Sequence, residues 1–145
     1  MSVKSEKAEI LFRGGLNCAQ AVLGAFCEDY GLTVGKALQI SAGLGGGLRK
    51  GEVCGAVSGA VIVLGLKYGP KTPEDLDSKQ LCNKKTIEFM DAFREKNGAV
   101  TCRELLERDT SKEKGTELTM QPNQKKEICV NLVKSAAELL ESMDC

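Results

Sequence analysis

Apolar residues recur every three to four positions along almost the whole chain, which is the spacing of one face of an α-helix. No segment keeps the alternation of apolar and polar residues that is typical of a half-buried strand. Glycines interrupt the pattern, and Asn, Thr or Asp residues precede several apolar runs, as helix caps do. The pattern therefore predicts an all-α, compact helical bundle of about five to seven helices, forming a single domain over residues 1–145.

The caps and breaks also predict where each helix lies. The predicted segments are residues 3–12, 18–30, 34–42, 53–67, 72–97, 102–108 and 123–143. The polar stretch 109–121 is predicted to be an exposed loop. The long helix over 72–97 is expected to begin at the Thr72-Pro73 signal and to bury Leu81, Ile87, Met90 and Phe93.

The segment over 53–67 is apolar on nearly all sides, which predicts a helix at the centre of the bundle. Gly55 and Gly59 each lower helix stability by about 1 kcal/mol relative to alanine. We expect this loss to be offset because small residues let another helix, or a bound group, approach the backbone closely. The same small-residue surfaces would allow two subunits to pack as a homodimer.

Charge and composition exclude several functions. Lysine plus arginine equals aspartate plus glutamate at 20 each, so the chain lacks the basic excess that nucleic-acid binding needs. The apolar run 56–66 is shorter than the roughly 20 residues of a membrane span, and the polar start contains no secretory signal. The chain is therefore predicted to bind no nucleic acid, to be no integral membrane protein and to be cytoplasmic.

Seven cysteines and no histidine make sulfur the candidate chemistry. In a reducing compartment, cysteines serve metal binding or redox reactions more often than structural disulfides. Cys18, Cys54 and Cys102 lie at predicted helix starts, where free N–H groups and the helix dipole lower a thiol pKa. Cys129 lies within the last helix, and we expect it to face the interior and to meet the other three there.

The remaining cysteines have simpler interpretations. Cys27 lies on the opposite side of its helix from Cys18, and Cys82 sits between polar and apolar neighbours. Both are predicted to be small buried hydrophobes. Because seven is an odd number, at least one thiol must stay unpaired within the chain, and Cys145 is the expected one. Any single cysteine is more often core packing than chemistry, so the case rests on the other four together.

Missing motifs narrow the chemistry further. Without histidine there is no mixed Cys/His zinc site, no histidine-ligated haem and no histidine base. No Cys-x-x-Cys pair supports a thioredoxin-like dithiol or a zinc ribbon. The glycines from Gly43 to Gly47 lack the Gly-Lys-Ser/Thr ending of a P-loop and predict a flexible link. Arg49 and Lys50 follow that link and are treated as solvated charges, with the capacity to attract an anionic substrate.

Taken together, these segments resemble a known family. Cys54-Gly55-Ala56-Val57-Ser58-Gly59, with Cys18 before it and Cys102 and Cys129 after it, is similar to the C_GCAxxG_C_C family of redox-active proteins. The resemblance covers almost the whole chain and carries its CGAxxG motif. It selects Cys18, Cys54, Cys102 and Cys129 as redox thiols or metal ligands, with Gly55 and Gly59 for close approach.

The resemblance leaves the reaction open. The relation of the family to part of the split-Soret cytochromes implies an iron–sulfur cluster as one use of the cysteines, served by an unidentified redox partner. Reversible disulfides, with Cys54 as the attacking thiolate, are the second use. Single cysteines spread along the chain favour a four-ligand cage over a dithiol exchanger. A structural zinc protein with four cysteine ligands and a helical interaction module without redox chemistry are the alternatives, and c-type haem attachment is excluded.

Overall fold

The computed structural model describes residues 2–106 and 122–145, and within these ranges it contains α-helices and no strand. The all-α prediction is confirmed. The helices are α1 (Val3–Arg13), α2 (Cys18–Phe26), α3 (Val34–Ser41), α4 (Gly55–Tyr68), α5 (Leu76–Asn97), α6 (Cys102–Leu105) and α7 (Pro122–Ser142). Short 3-10 turns follow α2 and α3 over Cys27–Tyr30 and Ala42–Leu44.

The apolar helix α4 lies at the centre of the molecule. It packs against α2, α5 and α7, while α1 covers α2 and α7 from outside. The core around it is built from large side chains of the neighbouring helices. The largest of these buried side chains include Leu23, Phe26, Phe89, Phe93 and Leu140. A helix that is apolar on all sides can be stable in water only in such a surrounded position.

Helices α2 and α4 approach each other closely at Gly59. A Cβ atom added there would lie 2.6 Å from the carbonyl oxygen of Ala19 and 3.0 Å from its Cα. Because real Cβ atoms do not come that near to backbone, only glycine permits this crossing. The close approach of another helix at Gly59 is therefore present as expected.

Several helix ends differ from the prediction. Helix α5 begins at Leu76, because the carboxylate of Asp75 accepts the N–H of Ser78 at 3.1 Å and the backbone of Asp75 is not helical. The predicted start at Thr72-Pro73 is wrong, since a helix cannot continue back through that cap. Helix α4 starts at Gly55, with Cys54 as its N-cap residue.

The buried face of α5 is also different. Phe89 and Phe93 form its inner face, one helical turn apart. Leu81 and Ile87 were predicted to be buried and are 42% and 62% exposed. Ile87 lies two residues before Phe89, which places it on the opposite side of the helix. The predicted ends 107–108 of the sixth helix and the loop 109–121 lie outside the described residues.

No helix in the described ranges combines the length and the apolar character that crossing a membrane requires.

Candidate functional site

A short backbone pairing brings Cys54 and Cys102 together. Val53 and Thr101 form an isolated antiparallel bridge. The N–H of Cys54 donates to the carbonyl of Val100 at 2.8 Å, and the N–H of Cys102 donates to the carbonyl of Glu52 at 2.7 Å. Both cysteines therefore lie at the point where paired strand-like backbone turns into a helix, and α4 and α6 begin side by side.

Cys18 is fixed at the start of α2 by a capping box. The side chain of Asn17 accepts the N–H of Gln20 at 2.8 Å, and the side chain of Gln20 accepts the N–H of Asn17 at 3.0 Å. The Asn17 amide also donates to the carbonyl of Ala42 at 3.0 Å. Cys18 then packs against α4, because its Cβ lies 3.2 Å from the position that a Cβ on Gly55 would occupy.

Cys129, on α7, completes the group. The side chains of Cys18 and Cys129 are in hydrogen-bond contact, and Cys54 and Cys102 are near enough for their charge to act on Cys18. The structure thus brings together the four cysteines that the sequence singled out.

The four thiols line one cavity of about 530 Å3. Buried leucines line its inner part, and its outer part is lined by exposed cations and by glycine backbone. Besides the cysteines the lining residues are Phe12, Asn17, Gly46, Arg49, Lys50, Gly51, Gly55, Arg103, Leu106 and Leu132. Cys54 is only 3% exposed, whereas Cys18, Cys102 and Cys129 are half-buried. A small ligand entering the cavity would meet these three thiols before Cys54.

Two of these thiols have a raised pKa. Burial raises the pKa of Cys54 to about 12, although the N–H groups of Ala56 and Val57 act in the opposite direction. The Cys18 pKa lies well above its ordinary value, because of its hydrogen bond to Cys129, then burial, then the neighbouring thiols. The expectation that helix starts lower these pKa values is therefore wrong for Cys18 and Cys54, since the opposing effects outweigh the helix dipole.

The sulfur atoms do not converge on a single point. Within the ranges that the structure describes, no group of three or more His, Cys, Asp or Glu residues is placed to hold a metal ion. A mononuclear zinc site would need four donors within about 2.3 Å of one ion. The cavity is instead large enough for a group bigger than one ion, or for a small organic molecule.

The other three cysteines do not line the cavity. Cys27 is fully buried and its thiol donates to the carbonyl of Gly24 at 3.6 Å, which confirms its interpretation as core packing. Cys82 is half-buried rather than buried. Cys145 is half-buried as well, and its side chain is hydrogen-bonded to that of Tyr30.

Sequence reasoning missed one charged residue of the cavity. Arg103 directly follows Cys102, and its Nη2 donates to the carbonyl of Lys50 at 3.1 Å. Adjacency to a candidate cysteine was the available signal, but one charge in a helix usually belongs to a solvated face. Arg49 and Lys50, treated as solvated charges, are exposed and also line the cavity.

Fold and site together define a helical bundle that encloses a cavity of four thiols. The chain belongs to the C_GCAxxG_C_C family, whose model matches residues 16–143 and is described as "Putative redox-active protein (C_GCAxxG_C_C)". The match spans all four cysteines of the cavity and the CGAxxG segment. Comparison with curated proteins and with solved structures gave no match.

Proposed function

We propose that the cavity is a two-electron redox centre in which Cys129 and Cys18 form a reversible disulfide. The contact between these two thiols carries the proposal. The pair joins the start of α2 to α7, so its oxidation would cross-link two helices that already touch. A disulfide requires its two sulfurs to come within bonding distance without backbone rearrangement, and thiols that share a hydrogen bond are near that condition.

The contact also lets us assign a role to each thiol. The pKa of Cys18 lies well above its ordinary value, so Cys18 keeps its proton, and we assign the attack to its neighbour Cys129. Cys129 is thus the attacking thiol and Cys18 the resolving thiol. Cys54, expected from the sequence to attack, is a poor nucleophile here because it is almost fully buried and its pKa is raised to about 12.

The reaction is thiol–disulfide exchange. The Cys129 thiolate attacks one sulfur of a substrate disulfide, a mixed disulfide forms, and the first substrate thiolate leaves. The Cys18 sulfur then attacks the Cys129 sulfur, and the second substrate thiolate leaves. The protons of the two cysteines end on the two released thiols. The protein loses two electrons and the substrate disulfide gains them; the reverse sequence reduces the protein.

Redox titration followed by non-reducing peptide mapping tests this function. We expect a Cys18–Cys129 disulfide to form in one transition as the dithiothreitol or glutathione poise is raised from about −320 to about −180 mV. Cys18→Ser and Cys129→Ser should abolish the transition. Cys82→Ser is the matched control, because Cys82 is half-buried but lies away from the cavity. The proposal is wrong if both thiols stay reduced across this range in folded protein.

An iron–sulfur cluster is the second candidate, and a different observation favours it. All four thiols face one cavity of about 530 Å3, with cations at its outer part. Four cysteines are the common ligand set of [2Fe–2S] and [4Fe–4S] clusters, which distribute their ligands over more than one iron. The donor set therefore suits a cluster better than a single ion. When bound, a cluster would supply one-electron transfer.

Iron and sulfide analysis of anaerobically purified protein separates the two candidates. A cluster should be lost in each of the four cysteine-to-serine variants, including Cys54→Ser and Cys102→Ser. The disulfide between Cys18 and Cys129 should instead survive those last two changes. Colourless, iron-free protein from iron-replete cells would exclude the cluster, and stoichiometric zinc without redox response would support the structural zinc alternative.

A further inference from the structure

The outer part of the cavity carries charge of one sign. Arg49, Lys50 and Arg103, together called the cationic rim, line it, and no Asp or Glu is among the described lining residues. In the part of the chain that the structure describes, none of the three forms a salt bridge. The whole chain has zero formal net charge, so this local excess is not a consequence of composition.

An unusual backbone conformation presents the rim. Gly46, Gly47, Leu48 and Arg49 have φ values of 64°, 62°, 61° and 62°, which form a left-handed turn. Two of these residues are not glycine, and left-handed backbone is unfavourable for them. Such strain persists where the surrounding structure holds it and is concentrated at functional sites. Here the N–H of Glu52 holds the turn by donating to the carbonyl of Gly47 at 2.9 Å.

Arg103 ties this turn to the cysteines. Its Nη2 donates to the carbonyl of Lys50, and its Nε lies 3.3 Å from the position that a Cβ on Gly51 would take. One bond engages only one of the five N–H donors of a guanidinium. Among the described residues the other donors have no partner and could bind a ligand. Arg103 lines the same cavity as the four thiols.

We propose that the cationic rim is an anion subsite that selects small disulfides carrying a carboxylate. The carboxylate would bind the rim, since arginine forms paired hydrogen bonds with planar oxyanions. The disulfide bond of the same molecule would then face the half-buried thiols. This inference rests on the proposed exchange reaction. Cys129 attacks the substrate disulfide, Cys18 resolves the mixed disulfide, and the two carboxylate-bearing thiols leave with the protons of the two cysteines.

Three disulfides of similar size and different charge test the subsite. They are 3,3′-dithiodipropionate, which is anionic, bis(2-hydroxyethyl) disulfide, which is neutral, and cystamine, which is cationic. The measurement is the rate of Cys18–Cys129 disulfide formation at neutral pH and low salt. We expect the anionic reagent to react about tenfold faster than the neutral one, within the range by which charged clefts raise association rates. About 1 M salt should remove the difference.

Charge-removing variants locate the effect. Arg49→Gln and Arg103→Gln should each lower the anionic-to-neutral rate ratio by about three- to fivefold, as expected for one partly exposed charge contact. Arg94→Gln, an exposed arginine of α5 that does not line the cavity, is the control and should leave the ratio unchanged. Equal rates for the three reagents would overturn the subsite while leaving the exchange reaction standing.

A redox-inert ligand keeps the test independent of the exchange reaction. The thioether 3,3′-thiodipropionate has the same carboxylates and no disulfide bond, and its binding to reduced protein can be followed by calorimetry. Saturable binding that weakens in Arg49→Gln and Arg103→Gln supports the subsite even if no disulfide forms. Absence of saturable binding to the wild-type protein overturns it.

Discussion

Replacing Gly59 by alanine tests the central contact of the fold. Gly59 lies in α4 at the crossing with α2, the helix that begins with Cys18. An added Cβ would lie 2.6 Å from the Ala19 carbonyl oxygen, whereas ordinary contact begins at 3.4 Å. The two backbones would have to separate by about 0.8 Å, because the obstacle is main chain and cannot rotate away as a side chain could.

The expected cost follows from two opposing effects. Overpacking a tight contact lowers the free energy of unfolding by about 1–3 kcal/mol. We expect about 2–3 kcal/mol here, because the added Cβ meets main-chain atoms. Alanine regains about 1 kcal/mol of helix propensity. Gly59→Ala should therefore lose about 1–2 kcal/mol. Gly65→Ala in the same helix meets no atom within 4 Å and should gain about 0.5–1 kcal/mol.

Equilibrium urea denaturation followed by far-UV circular dichroism, with reductant present, measures both variants. The two free energies of unfolding should differ by about 1.5–3 kcal/mol, with changes of opposite sign relative to wild type and an unchanged urea dependence. As a second readout, Gly59→Ala should speed alkylation of Cys18, which lies beside the crossing. If Gly59→Ala is as stable as Gly65→Ala, the close backbone approach described above does not exist.

Three further predictions concern pH, strain and packing. The pKa of Cys54 is raised from 9.0 to about 12 in the folded protein, so the folded state binds the Cys54 proton more tightly than the unfolded state does. The resulting contribution to the free energy of unfolding is fully present below pH 9. It should be lost between pH 9 and 12, by up to about 1.4 kcal/mol per pH unit. Urea midpoints of wild type should then fall more steeply than those of Cys54→Ala over this interval, and parallel curves would contradict the burial argument. Leu48→Asn should stabilise by about 0.5–1 kcal/mol because asparagine tolerates left-handed backbone, whereas Ile40→Asn, at a similarly exposed helical position, should bring no gain in thermal unfolding. Leu64→Ala should cost about 2–5 kcal/mol since Leu64 is fully buried, and a similar loss at Leu66, which is 38% exposed, would show that burial does not set the cost.

The sequence alone determined the helical character of the chain and singled out the four cysteines that line the cavity. Apolar spacing and caps are local properties, so Asn17 and Thr101 could be recognised as caps without knowing the fold; both cap as expected. The apolar helix α4 was recognisable as central for the same reason. Choosing the inner face of α5 failed at Ile87, because several apolar residues compete for one face and only their neighbours in space decide which are covered.

Tertiary structure decided how the four thiols are placed and what surrounds them. The bridge between Val53 and Thr101 is a single residue pair and leaves no periodic signal in the sequence, yet it sets Cys54 beside Cys102. The contact of Cys18 with Cys129 joins helices from opposite ends of the chain. Helix starts predicted lowered thiol pKa values, and the contact with Cys129 at Cys18 and burial at Cys54 reversed the direction. The reason is physical: a helix dipole is encoded locally, whereas desolvation depends on every element that packs over the group.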